Sequence, residues 1–171
     1  PTWSRADGGD AGLHPSNLHD NPYSVGALNV SGDTPILLGP DGPSLGGFAC
    51  PLTVARAHRW KLGQIRPGDK VRFVPVTDDG ADTLRASDSA RALDVPPATT
   101  VGRPANGGVL GSGPSVLDRP EVVYLRGGDD NILVEYGAME LDLGLRMRVH
   151  ALSQKLIEHQ VPGLIDITPG V

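Results

Sequence analysis

Residues able to move a proton or hold an anion gather in two short stretches in the first third of this 171-residue chain. The first, "HPSNLHDNPY", brings His14, His19, Asp20, Asn21 and Tyr23 close together. Imidazole titrates near neutral pH, and carboxylate, amide and phenol supply hydrogen bonds, so the set suits a small polar substrate that must lose or gain a proton. The same letters also spell an Asx-turn before a strand, with Asn21-Pro22 as its start. Two histidines five residues apart with no second ligand cluster make no metal pattern, so no metal site is expected.

The second stretch, "GPDGPSLGG", runs from Gly39 to Gly47. It lies between a strand-like run and an expected helix start, where backbone N–H groups and the helix dipole can hold an anion. The Gly-Lys-Ser/Thr of a phosphate loop and the spacing of a dinucleotide fingerprint are both absent. A tight turn, with glycines at positive φ and prolines fixing the bends, accounts for the same residues. Lys61, beside Trp60, can donate to a carbonyl or carboxylate, or simply sit solvated at a helix end. Cys50 stands among Phe48, Ala49 and Pro51, an apolar setting that keeps a thiol protonated. Glu135, Glu140 and Asp142 read as surface acids and a helix cap, His150 and His159 as helix-surface residues. No Gly-x-Ser-x-Gly nucleophile elbow occurs.

The elements that must position these groups fall into three regions. Residues 1–76 are mostly β, with strand-like runs "VGALNV", "TPILLG" and "DKVRFVPV". Between the last two, "CPLTVARAHRWKLGQ" reads as a short helix, Pro51 near its first turn and Gly63 at its stop. Pro67, Gly68 and Asp69 form a turn. Residues 77–120, rich in Asp, Ala, Ser, Gly and Pro, show neither helical nor strand period and read as a long linker between folding units. Residues 121–171 resume a pattern: "EVVYLRGGDDNILVEYG" is a β-hairpin around Gly-Gly-Asp-Asp. A helix follows with Leu145, Val149, Leu152 and Leu156 in one stripe, capped by Asp142 and ended by Pro162-Gly163. "GLIDITPGV" opens another strand, giving β-β-α-β.

Composition narrows the function. Gly numbers 23 and Pro 16, while aromatic residues are 4%, so part of the chain is not expected to pack. A net charge of -5 without any basic stripe argues against nucleic acid as a partner. No apolar run approaches the length that crosses a bilayer, and the start "PTWSRADGGD" lacks a signal-peptide pattern, so no membrane partner and a cytoplasmic location are expected. One cysteine rules out an internal disulfide. Starting at Pro1 and stopping at "DITPGV", the chain reads as part of something longer.

Residues Ser16 to Val76, "SNLHDNPYSVGALNVSGDTPILLGPDGPSLGGFACPLTVARAHRWKLGQIRPGDKVRFVPV", closely resemble the C-terminal end of the allophanate hydrolase subunit 2 family. That family supplies one half of the carboxyltransferase region of urea carboxylase. Residues Gly128 to Val171 resemble the start of the companion subunit 1 family, with its Leu-Asp-Leu, Arg-x-Arg-Val-His and Pro-Gly-Leu-Ile-Asp patterns. Subunit 2 followed by subunit 1 on one chain is the order expected of urea carboxylase and urea amidolyase; fused 5-oxoprolinase-type proteins tend to run the other way. The resemblance implies a fold that is mainly β with α+β: part of a cyclophilin-like β-barrel over 1–76, the linker 77–120, and the start of a small α+β domain over 121–171.

By the same resemblance the activity is transfer of a carboxyl group from carboxybiotin to urea, giving allophanate. Biotin would ride on a separate carrier domain, and ATP and bicarbonate would be used by a separate biotin carboxylase domain, neither of which this chain carries. Two alternatives are a component of an ATP-dependent 5-oxoprolinase and a kinase-binding regulatory module. Carboxyl transfer needs oriented donors for a developing oxyanion and a proton acceptor on the amide-like substrate. The catalytic candidates are therefore His19, Asp20, Tyr23 and Lys61, and the substrate-binding candidates Asn21, Asp41, Gly42, Ser44 and Gly46, the last three through the backbone. The expected partners are urea or a similar amide, the remaining carboxyltransferase halves, and the biotin carboxylase and carrier domains. A half barrel leaves unpaired strand edges, so association or a homodimer is expected, and the fragment alone should be inactive.

Overall fold

The computed structural model describes residues 14–86, 106–115, 119–138 and 140–170. These are mainly β with some helix, in two antiparallel sheets, and neither sheet closes into a barrel among the described residues. The first sheet has the order β1-β4-β2-β3, from β1 (Asn17–Pro22), β2 (Ala27–Ser31), β3 (Thr34–Leu37) and β4 (Leu45–Thr53). The runs "VGALNV" and "TPILLG" supply β2 and β3. They pair through a tight hairpin in which Ser31 faces Thr34 and Gly32 takes φ +61, a turn conformation that favours glycine. β4 is central, bonded to β1 on one side and β2 on the other. The buried apolar side chains here are Tyr23, Ala27 and Val30, with Leu84 from farther along the chain.

Several local expectations change. The turn Gly39–Gly47 leads into strand β4 rather than a helix, so no helix N-terminus faces it. The expected helix over 50–64 shrinks to a 3₁₀ segment, Arg56–Gln64, because β4 continues through Cys50, Pro51 and Leu52 to Thr53. Pro51 and Leu52 lie exposed near the end of that strand, where a missing N–H costs little. The Pro67-Gly68 turn is present, with Gly68 at φ +95 and Asp69 N–H donating to Arg66 O at 3.0 Å. After it, "DKVRFVPV" is not a strand: Val71, Phe73 and Val74 are each at least half exposed, and no described strand lies alongside to pair with them.

The stretch read as a featureless linker holds structure at both ends. Asp78–Ala86 is a helix, α1, started by Thr77, whose hydroxyl accepts from Gly80 N–H at 3.1 Å and whose carbonyl accepts from Ala81 N–H at 2.9 Å. Asp78 and Asp79 in its first turn favour the positive end of its dipole. Val109–Gly113 is a strand, β5, which joins β6 (Val122–Gly127) and β7 (Asn131–Tyr136) in a sheet of order β5-β6-β7. Helix α2 (Leu143–Glu158) follows, and Asp142 caps it by accepting from Leu145 N–H at 2.9 Å, as expected. Residues 164–170 form no strand, so the described order over 121–170 is β-β-α, with β5 added to the sheet from the preceding stretch, rather than β-β-α-β. Among the described residues no helix is long and apolar enough to cross a membrane.

The described residues divide into two units: the first comprises 14–86, 106–108 and Arg126–Ile132, the second 109–115, 119–125, 133–138 and 140–170. The Gly-Gly-Asp-Asp tip of the β6–β7 hairpin thus belongs to the first unit, although its sequence neighbours belong to the second.

Candidate functional site

Tyr23 organises an open concavity on the first sheet. Its main-chain N–H donates to Ser44 O at 2.7 Å, and its hydroxyl accepts from Phe48 N–H at 2.7 Å, so one residue straps the opening of β4 at both ends. Between those two bonds the ring passes over Gly46. A Cβ there would fall 2.5 Å from the ring carbon Cε2 and 2.6 Å from Oη, so glycine is required by close approach. The result is a groove of about 260 Å³ lined by Tyr23, Asn29, Leu38, Leu45, Gly46 and Phe48, among others. Its walls are chiefly apolar, with the Asn29 amide and the Tyr23 phenol as polar groups.

The β1–β4 ladder is irregular where the chemistry-bearing residues lie. Asn17 faces Phe48 and Asn21 faces Gly46, so between these pairs β1 carries Leu18, His19 and Asp20 while β4 carries Gly47 alone. Extra residues on one strand bend it and re-aim its side chains, a device common beside binding sites. His19 and Asp20 occupy this bulge, and their side chains lie outside the described residues. Asn21 donates its amide to Phe48 O at 3.3 Å, next to the N–H that Tyr23 holds.

Of the residues singled out from the sequence, the structure brings Tyr23 and Gly46 into the groove lining, with Asn21 bonded to its rim at Phe48. Ser44 contributes its carbonyl to Tyr23 rather than lining the groove. Gly42 N–H donates to Gly39 O at 3.1 Å and is engaged in the turn, and Asp41 is exposed beside it. Lys61 lies on the 3₁₀ segment with its ammonium over the Trp60 ring, 5.7 Å from the centroid, away from the groove lining. Cys50 is half-buried; burial raises its thiol pKa, and hydrogen bonds from the Asn29 and Asn21 side chains lower it less.

Two features were missed. Asn29 is 4% exposed, and its amide approaches the Cys50 sulfur at 3.7 Å while it also lines the groove. The signal was an amide inside the apolar run "VGALNV", since a polar group in a buried strand position has to find a partner. The other is an ion-pair hub in the first unit. Asp129, 6% exposed, accepts from Arg56 N–H at 2.5 Å and from the Arg85 guanidinium at 2.5 Å, and Asp130 takes both ends of Arg59 at 2.7 and 3.0 Å. The Asp129 bond holds the Arg85 pKa above its usual value. Arg126 and Asp82 extend the network at 3.5 Å on its exposed side, where such pairs contribute little.

With that geometry in view, comparison with known proteins gives one consistent answer. Residues 4–75 match the family described as carboxyltransferase domain, subdomain A and B. The whole chain aligns with urea amidolyase of Lachancea kluyveri at 39% identity over 179 residues, and with urea amidolyase of Saccharomyces cerevisiae at 37% over 182. The chain is a homologue of a urea amidolyase segment. It spans 10% of each of those two proteins. The crystal structure of Kluyveromyces lactis urea carboxylase superposes with a TM-score of 0.69 at 40% identity, covering all of this chain and 16% of that one. The urea carboxylase likeness therefore runs through both sheets and through the stretch between them that the sequence left without structure.

Proposed function

We propose that this chain is the junction of a urea carboxylase carboxyltransferase region, the part of a larger enzyme that passes a carboxyl group from carboxybiotin to urea and forms allophanate. The observation that supports the reading is that the whole chain aligns with urea amidolyases at 37–39% identity. Biotin on its carrier domain would supply the activated carboxyl group. The groove suits such a ring in chemical character, with apolar walls from Leu38, Leu45 and Phe48 and an amide at Asn29.

What this chain's own residues would do follows from their placement. Tyr23 fixes the Phe48 N–H and the close approach at Gly46, which holds the opening of β4 rigid beside the groove. Asn21, bonded to Phe48 O, orients the next peptide, Phe48–Ala49, from the other strand. His19 and Asp20, on the bulge, are the proposed acceptors of the proton that urea must lose. Gly42, Asp41, Ser44 and Lys61 remain proposals from sequence with no part in the groove lining.

The test is carried out on the complete parent enzyme, assaying ATP turnover with bicarbonate against urea and 5-oxoproline side by side. Urea-dependent turnover, lost in the His19→Ala and Asp20→Ala variants, is the expected result. Turnover with 5-oxoproline alone would assign the chain to an oxoprolinase, and capture of a histidine kinase with no turnover at all would assign it to regulation.

A further inference from the structure

The hairpin tip Arg126–Ile132 lies far along the chain from the groove yet packs in the same unit, against the turn that carries Tyr23. Gly128, at φ +71, sits so near Ser24 that a Cβ on it would fall 2.3 Å from Ser24 Oγ and 2.9 Å from Ser24 Cβ. Ser24 is 9% exposed and follows Tyr23 directly. Its carbonyl accepts from Ala27 N–H at 3.0 Å, closing the turn between β1 and β2. The tip also reaches the other side of that turn. Asp130 holds Arg59, and Arg59 Nε lies 3.5 Å from where a Cβ of Gly26 would stand. Gly26 in turn donates to Leu38 O at 2.9 Å and accepts from Val54 N–H at 2.8 Å, and Leu38 is a groove wall.

Asp129 fixes the tip itself. Its carboxylate takes the Arg56 N–H at the start of the 3₁₀ segment and the Arg85 guanidinium from α1, and Arg85 also donates to the Asp129 carbonyl at 2.9 Å. Three elements distant in sequence thus meet on one nearly buried carboxylate, an arrangement in which removing one partner strands the others. The contacts that link the tip to the groove run through Ser24 and, by way of Arg59, Gly26.

We propose that Gly128 and Asp129 are positioning residues for the groove: they brace the Ser24–Gly26 turn from outside, so that Tyr23 stays over Gly46 with its hydroxyl on the Phe48 N–H. The kinetic part of the test rests on the carboxyl-transfer reading above; the structural part stands without it.

The experiment uses the complete enzyme and two readouts, amide hydrogen exchange in residues 44–49 and KM for urea measured separately from kcat. In Gly128→Ala the new methyl meets Ser24, and exchange over 44–49 and KM for urea should each rise about tenfold, the scale of coupling between touching residues. kcat and the ATP- and bicarbonate-dependent carboxylation of free biotin should hold. Adding Ser24→Gly removes both atoms the methyl meets and should recover part of both changes, the strain of alanine at φ +71 remaining. Asp129→Asn, which keeps the size and removes the charge, should move both readouts in the same direction and serves where Gly128→Ala does not fold. Exchange over 44–49 within about twofold of the unaltered enzyme in every folded variant would overturn the proposal. So would a loss of activity that tracks the folded fraction at unchanged KM. If exchange responds as expected while the unaltered enzyme shows no urea-dependent turnover, the positioning role stands and the carboxyl-transfer reading falls.

Discussion

The two units bury their apolar surface very differently. In the first, Tyr23, Ala27, Val30 and Leu84 are buried, and Asp129 ties helix, 3₁₀ segment and hairpin tip together. In the second, no described apolar residue is fully buried, and the helix stripe Leu145, Val149, Leu152 and Leu156 is only half covered. Leu143 is 77% exposed and Ile165 96% exposed, far more than a soluble helix and its following segment gain from showing to water. The first unit is held by cross-links between distant segments, whereas the second keeps its helix stripe half covered and leaves Leu143 and Ile165 exposed.

Stability measurements on this chain can break that contrast. Leu84→Ala, at a 1% exposed position, should lower the unfolding free energy of the first unit by about 3 kcal/mol, read by guanidinium denaturation. Ile165→Ala should change the unfolding free energy of the second unit by less than about 0.5 kcal/mol. Comparable losses at the two sites would erase the difference between the units. Gly46→Ala forces Tyr23 aside and should cost about 2 kcal/mol by the same measurement, because the atoms it meets belong to a ring strapped at both ends. Tyr23→Phe leaves the Phe48 N–H without its acceptor and should cost about 1 kcal/mol.

The smallest effect concerns pH. The Cys50 thiol has its pKa raised by burial, so the fold prefers the protonated form. Its contribution is complete below the pKa of the unfolded thiol and declines as pH rises through the higher folded value, so this group withdraws stability on the alkaline side. Cys50→Ser should flatten that decline, and alkylation of Cys50 should be slower in the folded chain than after unfolding. An alkaline decline that is the same without the thiol would remove Cys50 from this account.

What could be read from the letters was local. Gly-Gly-Asp-Asp between two β-branched runs, Asp142 before an apolar stripe, and Pro67-Gly68 each specify their turn or cap within a few residues, and each is present. Val71–Val76 and Leu164–Gly170 read as strands from composition, but a strand is defined by a neighbour, and none of the described strands pairs with either. Helix α1 was overlooked because it has one buried apolar residue, Leu84, and so no stripe; the cue was Thr77 followed by two aspartates, a start signal without a face. In the site, the cluster around Tyr23 was visible as a run of chemical types. The groove itself was not, because it depends on Gly46, Asn29 and Leu38 meeting across three strands.

The discontinuous first unit also bears on how such a chain is divided for expression. A cut placed near residue 120, where composition invites it, would leave Arg56, Arg59 and Arg85 on one product and Asp129 and Asp130 on the other. The longer product would then carry the three arginines with Asp82, 3.0 Å from Arg85, as the hub's remaining acid, and adding back a short peptide spanning 126–132 would be the simplest remedy.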